Sequence, residues 1–318
     1  MTVTLDDICR AAERIRGVAE RTPLQPAWGL VPADTLWLKC ENLQRTGSFK
    51  LRGAYNAVAS LSADERQRGV ITYSSGNHGQ AVAAAAHLLD APAVIVMPED
   101  AIPVKVENTR AWGAEVVFAG HTSLDRQERA EQLAAAHGYS VIPPFDDPRI
   151  IAGQGTVGLE IVDQLPNVEV VVVQVGGGGL ISGVATAVKA LRPQVEVIGV
   201  EPAGAADAQQ SLHEGRVVTL ERIQTVADGL RTSRVGTLNF ETIRQHVDRI
   251  VTVEEQAILD AVALLALRSH LVAEPSGAVA PAAVLSGAVQ VGERKVAAVI
   301  SGGNIAPDRL EACIAAAR

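Results

Sequence analysis

The chain has 318 residues, 47% hydrophobic and 20% charged, a mixture typical of a globular protein with a full apolar core. Its net charge of -8 and its aromatic content of 3% argue against binding to nucleic acid or to an anionic membrane surface. The sequence has no apolar run of about 20 residues, so it predicts no membrane span. Three scattered cysteines and an N-terminus without an apolar signal segment predict a cytoplasmic protein without a disulfide framework.

Short apolar runs alternate with alanine-rich segments along the chain. The runs predict buried strands over residues 35–40, 70–73, 93–97, 115–118, 169–175, 195–200, 249–253 and 295–300. The segments between them predict helices over residues 5–20, 51–61, 79–89, 104–112, 124–137, 156–165, 180–191, 254–269 and 275–285. This alternation is typical of an α/β fold in which helices connect parallel strands.

A proline-rich stretch at residues 141–148 predicts a linker between two parts of the chain. Residues 61–145 hold three predicted strands with helices between them, so we expect a small domain there. Residues 1–60 and 146–318 then form a larger domain. The sequence Gly-Gln-Gly-Thr-Val-Gly at 153–158 has the spacing of a dinucleotide fingerprint but follows no clear strand, and it is interpreted as a closely packed helix start.

Four consecutive glycines, Gly176, Gly177, Gly178 and Gly179, follow one predicted buried strand and precede a helix. Without Cβ atoms, their backbone N–H groups can approach an anion closely, and the helix N-terminus adds partial positive charge. The loop therefore predicts a phosphate cradle. A tight turn packed against its neighbours is the alternative. No Gly-Lys-Ser/Thr follows the loop, so it is not a nucleoside-triphosphate loop of the usual kind.

Lys50 stands between Phe49 and Leu51 where a helix is predicted to begin. A helix N-terminus and an apolar setting both lower the pKa of an amine, so Lys50 is a candidate Schiff-base nucleophile. A solvated lysine is the alternative interpretation. The loop at 72–80 crowds hydroxyl, amide and imidazole groups before a helix, which suits a carboxylate ligand or a simple helix cap. Ser301 follows the last predicted strand, either at the ligand-binding edge of a sheet or in a plain turn.

Together these signals point to pyridoxal phosphate and an amino acid. The chain resembles the fold type II pyridoxal-phosphate family of serine/threonine dehydratases and serine racemase over residues 22–304. The motifs that carry the resemblance are Ser-Phe-Lys-Leu-Arg-Gly at 48–53, Ser-Ser-Gly-Asn-His-Gly at 74–79, the four glycines, Ala-Asp-Gly at 227–229, Glu-Pro at 274–275 and Ser-Gly-Gly-Asn at 301–304. The resemblance implies an α/β fold like that of the tryptophan synthase β subunit, with two open, twisted, mostly parallel sheets covered by helices on both faces.

The resemblance also assigns roles to individual residues. It implies that Lys50 holds the cofactor through a Schiff base and that Lys50 and Ser75 are the catalytic residues. The other implied cofactor contacts are Phe49, Asn77, Gly176, Gly177, Gly178, Gly179, Gly229, Glu274 and Ser301. The implied substrate contacts are Ser74, Ser75, Asn77, His78 and Arg126. A divalent cation, Mg²⁺ or Ca²⁺, is implied at Glu201, the Ala205 carbonyl and Asp207.

The activity that the resemblance implies is elimination of water and ammonia from L-threonine or L-serine, giving 2-oxobutanoate or pyruvate. Serine racemisation remains an alternative, because Ser75 would supply the second acid or base. A 3-hydroxyaspartate dehydratase is a further alternative, in which Arg126 or Arg231 would bind the extra carboxylate. A binding protein for a phosphate-bearing ligand, without catalysis, is the alternative from another class. The implied partners are a small β-hydroxy amino acid and a second copy of the chain, with no nucleic acid and no membrane.

Overall fold

The computed structural model of the protein describes residues 2–31, 35–74, 76–101 and 103–317. The strands are β1 (Leu24–Pro26), β2 (Leu36–Cys40), β3 (Val70–Thr72), β4 (Ala93–Met97), β5 (Glu115–Phe118), β6 (Ser140–Val141), β7 (Val170–Gln174), β8 (Glu196–Pro202), β9 (Arg249–Val253) and β10 (Val296–Ile300). The helices are α1 (Leu5–Arg14), α2 (Lys50–Ala59), α3 (Ala63–Arg68), α4 (Asn77–Leu88), α5 (Pro103–Arg110), α6 (Ser123–His137), α7 (Pro148–Gln164), α8 (Gly179–Leu191), α9 (Asp207–Glu214), α10 (Thr237–His246), α11 (Glu255–Arg268), α12 (Pro275–Leu285) and α13 (Pro307–Ala316).

The larger sheet has six strands in the order β1-β2-β10-β7-β8-β9. Only β1 runs antiparallel to its neighbour, and the other described pairs are parallel. The last strand of the chain, β10, lies in the middle of the sheet, where Ile300 is opposite Cys40 of β2. The carboxyl ends of the parallel strands therefore meet at one edge of the sheet, where ligands bind in α/β proteins.

The smaller sheet has four parallel strands in the order β5-β4-β3-β6. All four lie within residues 61–145, and the six strands of the larger sheet lie outside that range. The expectation of two mostly parallel sheets with connecting helices is confirmed. The division of the chain into two domains at residues 61 and 145 stays a prediction.

The larger sheet is buried on both faces, as its unbroken apolar runs predict. Val170 and Val172 of β7 pack in one core cluster with α11 and α12. Val171 and Val173, which point to the opposite face, pack in a second cluster with α7 and α8. This burial explains why β7 shows no alternation of apolar and polar residues.

The Gly-x-Gly-x-x-Gly sequence lies in the interior of α7, so its interpretation as a helix start is wrong. Its glycines instead allow close contact between helices. A Cβ at Gly153 would lie 2.5 Å from Cα of Gly53 in α2, and one at Gly155 would lie 2.9 Å from the Gly183 carbonyl of α8. The prediction of close packing is therefore confirmed, and the proline at the true start of α7 is a preferred first residue of a helix.

Within the described residues, no helix is both long enough and apolar enough to cross a membrane.

Candidate active site

The loop before α2 is joined to the end of β10 by backbone contacts. The Phe49 amide donates a hydrogen bond to the Ser301 carbonyl at 3.0 Å. Ser48 and Gly302 form an antiparallel bridge beside it. Two motifs from opposite ends of the chain therefore lie side by side at the carboxyl edge of the larger sheet.

Lys50 is the first residue of α2, as its sequence setting predicts. Its Nζ donates a hydrogen bond to the Pro144 carbonyl at 2.8 Å and lies 5.2 Å from the centre of the Phe49 ring. Burial of the amine lowers the pKa of Lys50 from 10.5 to about 8. A large share of the amine is therefore neutral near pH 8, which is the form that attacks a carbonyl carbon or accepts a proton.

Residues 142–147, which we call the strap, lead from β6 to α7 and pass beside Lys50. The Ile142 carbonyl lies 3.0 Å from Nε2 of His78, and the Pro144 carbonyl accepts the hydrogen bond from Lys50. The strap occupies the proline-rich stretch that the sequence predicts to be a linker. Together with α7 it connects β6 of the smaller sheet to β7 of the larger sheet. It also contacts two side chains of the candidate site.

The ring of His78 is neutral and faces the strap. His78 is 2% exposed, and its Nε2 must carry the hydrogen because the Ile142 carbonyl can only accept. Its Nδ1 is buried and has no hydrogen-bond partner among the described residues. Burial is the largest cause that lowers the pKa of His78, to about 3, and the charge of Lys50 lowers it further. The ring therefore supplies no positive charge for the substrate carboxylate that the resemblance assigns to it.

The four glycines form the turn between β7 and α8. Gly178 has a φ of 92°, in the left-handed region that favours glycine. A Cβ at Gly177 would lie 2.2 Å from the ring of Phe145 in the strap. Among the described residues, none accepts a hydrogen bond from the backbone N–H groups of residues 176–179. The turn is thus tightly packed, as the alternative interpretation held, and its free N–H groups at a helix N-terminus also suit a phosphate.

Asn77 begins α4, and its side-chain amide is held at both ends. Its Nδ2 donates to Glu274 at 2.5 Å, and its Oδ1 accepts from Asn304 at 2.8 Å. Burial is the main reason that the pKa of Glu274 rises to about 7, and the nearby Asp228 raises it further. Asn77 keeps a second N–H that can donate to a ligand.

Ser301 is 4% exposed and pairs with Gln174 at the end of β7. With the Gln174 amide oriented to satisfy its neighbours, its oxygen accepts from the Ser301 hydroxyl, and its nitrogen donates to the Val299 carbonyl at 3.2 Å. A hydroxyl in this place can donate to or accept from a ring nitrogen without adding charge. The sequence analysis missed Gln174, whose signal is a polar residue at the end of a strand of valines.

Three more predicted contacts are Ser74, Gly229 and Ser75. The Ser74 hydroxyl accepts from the Gly76 amide at 3.3 Å, next to the start of α4. The Gly229 amide donates to the Ser276 hydroxyl at 2.7 Å, close to Glu274 in the chain. Ser75 lies outside the residues that the structure describes, so its predicted catalytic role stays a prediction.

Arg126 and Arg231 are not joined to this group by any described hydrogen bond. Arg126 lies in α6, where its Nη2 donates to Ser123 at 2.9 Å and its Nη1 contacts the His121 carbonyl at 3.4 Å. Arg231 is exposed. The predicted contact of either arginine with substrate therefore stays a prediction.

A cavity of 280 Å³ lies beside Asn77, between α4, α5 and the N-terminal ends of α12 and α13. Its polar lining consists of Asn77, Gln80, Lys105, Asn108, Thr109, Asp228, Glu274, Asn304 and Arg309. Lys105 and Arg309 each lie close to Asp228, at 3.5 and 3.4 Å. Because the lining also includes Pro275, Ile305, Ala306 and Pro307, the cavity suits a small ligand with both polar and apolar parts.

Beneath the first turn of α2 lie four charged side chains, Lys39, Glu41, Arg52 and Glu160, which we call the charge cluster. The first three are buried, and Glu160 is 14% exposed. Arg52 contacts both Glu41 oxygens at 2.7 and 2.8 Å and both Glu160 oxygens at 2.6 and 2.9 Å. Lys39 donates to Glu160 at 2.5 Å. Two positive and two negative charges cancel, and their contacts hold α2 against β2 and α7.

Glu201, in β8, and Asp207, at the start of α9, form a buried acidic pair. Both Glu201 oxygens accept backbone hydrogen bonds, from Ala208 at 2.9 Å and Gln209 at 2.8 Å. Neither Asp207 oxygen has a partner of hydrogen-bond geometry among the described residues. Burial raises the pKa of Glu201 to about 8 and that of Asp207 to about 7. Ala205 is buried between them in the chain.

In the described part of the chain, no three His, Cys, Asp or Glu side chains cluster as metal ligands. The implied cation set has only two such side chains and a carbonyl. An unpartnered buried carboxylate beside a second acid nevertheless fits a hard cation, because the cation would offset the cost of burying both charges.

The residues described above fit pyridoxal phosphate. The buried lysine is partly neutral, and the four glycine N–H groups at the start of α8 have no described partner, so both match what this cofactor requires of its protein. The family of proteins described as "Pyridoxal-phosphate dependent enzyme" matches residues 15–302. The chain belongs to this family of pyridoxal-phosphate-dependent enzymes, and the fold type II resemblance is confirmed.

Individual relatives cover nearly the whole chain. It is 47% identical to the L-threonine ammonia-lyase of Thermotoga maritima over 95% of this chain and 76% of that protein. It is 41% identical to the L-threo-3-hydroxyaspartate ammonia-lyase of Saccharomyces cerevisiae over 95% of this chain and 93% of that protein. The solved structure of maize serine racemase matches with a TM-score of 0.94 at 36% identity, covering 99% of this chain and 98% of that one. These are the three activities that the sequence analysis left open.

Proposed function

We propose that the protein is a pyridoxal-phosphate-dependent ammonia-lyase that converts L-threonine and L-serine into 2-oxobutanoate and pyruvate with release of ammonia. The observation that carries the proposal is the 47% identity to an L-threonine ammonia-lyase over 95% of the chain. The half-buried Lys50, whose pKa is lowered by desolvation of its amine, and the free N–H groups of residues 176–179 support it, because a binding protein without chemistry has no need of a lysine with a lowered pKa.

The chain offers a partner for each part of the cofactor. The N–H groups of residues 176–179 and the N-terminus of α8 would bind the phosphate. The amine nitrogen of Lys50 would bond to the aldehyde carbon of the cofactor. Phe49, Asn77, Gly229, Glu274 and Ser301 complete the proposed cofactor contacts. Pyridoxal phosphate, when bound, supplies the electron sink that acidifies the Cα hydrogen of an amino acid and lets its β-substituent leave.

Lys50 is the proposed base. Its amine accepts the Cα proton when neutral, and the Pro144 carbonyl is in place to accept a hydrogen bond from the resulting ammonium. The substrate carboxylate is proposed to bind at the N-terminus of α4, near Ser74 and Asn77, where backbone N–H groups point out of the helix. Roles for Ser75 and Arg126 remain part of this proposal on the resemblance alone.

Two relatives keep two alternatives open. Similarity to an L-threo-3-hydroxyaspartate ammonia-lyase at 41% identity favours a dicarboxylic substrate as the first alternative. Similarity to maize serine racemase favours inversion at Cα as the second. All three reactions begin with loss of the Cα proton, so the same lysine serves each of them.

The test uses purified protein loaded with pyridoxal phosphate and three substrates in parallel: L-threonine, L-serine and L-threo-3-hydroxyaspartate. We expect 2-oxobutanoate and ammonia from L-threonine in equal amounts. D-serine in excess of pyruvate would favour the racemase alternative, and turnover of the hydroxyaspartate alone would favour the dicarboxylic one. Lys50→Ala is expected to lose turnover and the yellow, borohydride-sensitive chromophore, and unchanged turnover in this variant would defeat the proposal.

We also propose that Glu201, the Ala205 carbonyl and Asp207 bind Mg²⁺ or Ca²⁺. Removing divalent cations is expected to lower the melting temperature, because two buried carboxylates then lose their counter-charge. Adding Mg²⁺ back should restore it. Asp207→Asn should abolish this response, whereas Asp308→Asn, at an exposed position in α13, should leave it intact. An unchanged melting temperature in chelator would contradict the assignment.

The proposal includes three expectations from the sequence. They are a smaller domain at residues 61–145, a homodimer, and a location in the cytoplasm. Analytical ultracentrifugation of the loaded protein tests the homodimer, since a single species of one-chain mass would contradict it.

A further inference from the structure

Two side chains of the candidate site contact backbone carbonyls of the strap that are two residues apart. His78 donates from Nε2 to the Ile142 carbonyl at 3.0 Å, and Lys50 donates from Nζ to the Pro144 carbonyl at 2.8 Å. Pro143 and Pro144 have a fixed φ and no N–H group, so the backbone between the two carbonyls is stiff. A displacement of the first carbonyl therefore moves the second.

The strap is also held on its other side. Asp146 accepts hydrogen bonds from the amides of Thr237 and Leu238, both at 2.9 Å, at the start of α10. The Pro144 carbonyl thus lies between two fixed points, His78 on one side and Asp146 on the other. Its position is defined by contacts that do not involve Lys50 itself.

The hydrogen bond to the Pro144 carbonyl orients the Lys50 amine. The N–H bonds and the lone pair of a neutral amine occupy different tetrahedral directions around the nitrogen. When one N–H is bonded to the Pro144 carbonyl, the lone pair therefore points away from that oxygen. The lone pair is the part of the amine that attacks a carbonyl carbon or takes a proton. Its direction therefore depends on where the strap places Pro144.

We propose that His78 is a positioning residue that acts on Lys50 through the strap. By holding the Ile142 carbonyl with a neutral, single-tautomer ring, it sets the direction of the Lys50 lone pair. The inference rests on the function proposed above, because it concerns the lysine of that reaction. It replaces the expected contact of His78 with the substrate carboxylate by a contact with backbone.

The proposal is tested with His78→Leu, His78→Gln and the control His87→Leu. Glutamine can place an amide N–H near the position of Nε2, whereas leucine cannot donate. His87 lies in the last turn of the same helix and is exposed, so its replacement tests the loss of an imidazole from α4 without loss of the strap contact. Pro144→Gly is a further variant that loosens the strap and leaves His78 in place.

Three quantities are measured on each variant. Hydrogen exchange reports the strap through the amides of Ile142 and Asp147, which are bonded to the Ile71 and Phe145 carbonyls. The rate at which cofactor-free protein captures pyridoxal phosphate, followed by absorbance and by borohydride labelling of Lys50, reports the lysine. Steady-state kinetics of the loaded protein with L-threonine separates kcat from KM.

For His78→Leu we expect about tenfold faster exchange and about tenfold slower capture, the effect of one lost buried hydrogen bond. We expect kcat to fall by a similar factor while KM changes little, because the base is misdirected and the carboxylate contact is intact. His78→Gln should recover most of both rates. Pro144→Gly should act like His78→Leu, and the double variant should be no worse than the more affected single one.

Unchanged strap exchange in His78→Leu would overturn the proposal, and so would faster exchange with unchanged capture in Pro144→Gly. A rise in KM with unchanged kcat in His78→Leu would restore the carboxylate role instead. The two proposals fail separately. If the wild-type protein captures the cofactor but forms no 2-oxo acid, the proposed function fails, and exchange and capture still decide the role of His78. If it captures no cofactor, both fail.

Discussion

Lys50, His78 and Glu274 all have pKa values that burial moves toward the uncharged form. The pKa of Lys50 falls to about 8, that of His78 falls to about 3, and that of Glu274 rises to about 7. Near neutral pH, His78 is therefore uncharged, Glu274 is partly ionised, and Lys50 is still mostly protonated. Backbone N–H groups at the starts of α4 and α8 add positive potential for an anionic ligand that needs no proton to be effective.

The neutral fraction of Lys50 predicts how capture of pyridoxal phosphate depends on pH. The rate should rise about tenfold per pH unit below the pKa and level off above it, because only the neutral amine attacks. With a pKa of about 8, the plateau begins near pH 8, whereas an ordinary lysine amine continues to gain until 10.5. Stopped-flow absorbance on cofactor-free protein measures this, with N-acetyl-lysine amide as the control amine. A rate that rises in parallel with the control would contradict the burial effect.

Glu274 predicts a pH dependence of stability. Between its ordinary pKa of 4.5 and about 7, the folded protein holds a proton that the unfolded chain has released. The contribution of Glu274 to the free energy of unfolding therefore falls as pH rises through this interval. Glu274→Gln keeps an acceptor for Asn77 and removes the charge, so it should raise the stability of cofactor-free protein by about 1–3 kcal/mol at about pH 8 and by little at about pH 5.

Urea unfolding at both pH values measures the effect of Glu274→Gln. Glu293→Gln, at an exposed position, is the matched control and should change stability equally little at both. An equal gain for Glu274→Gln at both pH values would show that the carboxyl group is not the titrating group.

At the scale of elements, the glycine turn and the strap depend on each other. Gly177 has no room for a side chain, and Gly179 has little, because Phe145 of the strap packs against both. The Asn239 side chain of α10 joins the two, with its Nδ2 donating to the Gly177 carbonyl at 2.9 Å and to the Phe145 carbonyl at 3.2 Å. The packing of Phe145 against the glycine turn therefore excludes side chains from the turn. It also helps to fix the strap, whose Pro144 carbonyl is bonded to Lys50.

This contact predicts different effects for two alanine substitutions in one loop. Gly177→Ala places a Cβ 2.2 Å from the Phe145 ring, whereas Gly176→Ala places one 3.2 Å from Leu230. Gly177→Ala should therefore destabilise the fold by about 1–3 kcal/mol, the usual cost of overpacking, and weaken binding of pyridoxal phosphate. Gly176→Ala should have a clearly smaller effect on both.

Thermal unfolding and absorbance titration with the cofactor measure the two glycine variants. Adding Phe145→Ala to Gly177→Ala removes the colliding ring and should restore part of the lost stability. Equal effects of the two single variants would show that the ring does not restrict the turn.

Sequence patterns predicted the elements whose signal is local. The strands β4, β5 and β9 have the predicted bounds. β4 is an uninterrupted apolar run, and β5 and β9 each begin with a charged residue that is followed mainly by β-branched or aromatic residues. The two-residue strand β6 and the edge strand β1 were missed, because they are too short for a period and exist only through pairing with β3 and β2. The polar helix α3 was also missed, although Ser62 and Glu65 form a capping box that could have revealed it.

The site was predictable to a similar extent. Lys50, Asn77, Ser301 and the glycine turn lie at element ends, so motif and element together located them. The Pro144 carbonyl could not be found in this way, because it is a backbone group whose role arises from its place in the fold. The predicted contact of His78 with the substrate carboxylate stays a prediction, because a sequence shows an imidazole but not the Ile142 carbonyl that it faces.

At the scale of the whole molecule, the charge cluster connects the N-terminal part of the chain to the centre. Removing one member of a buried ion cluster leaves its partners without counter-charge, at a cost of about 3–5 kcal/mol. Arg52→Met should show a loss of this size in urea unfolding, since it removes the cation that contacts Glu41 and leaves Glu160 with Lys39 alone. Arg244→Met, which breaks an exposed pair with Glu241, should change stability by less than about 1 kcal/mol. Equal effects of the two variants would contradict the burial of the cluster.

The central place of β10 sets the order in which the molecule can be completed during synthesis. Residues 296–300 insert between β2 and β7, so these two edges stay unpaired until residue 300 has left the ribosome. The loop of Lys50 reaches its hydrogen bond with Ser301 only at that stage. A growing chain that has not reached residue 301 therefore cannot complete the loop of Lys50, and a halt in translation before β10 leaves two exposed strand edges of the kind that chaperones protect from aggregation.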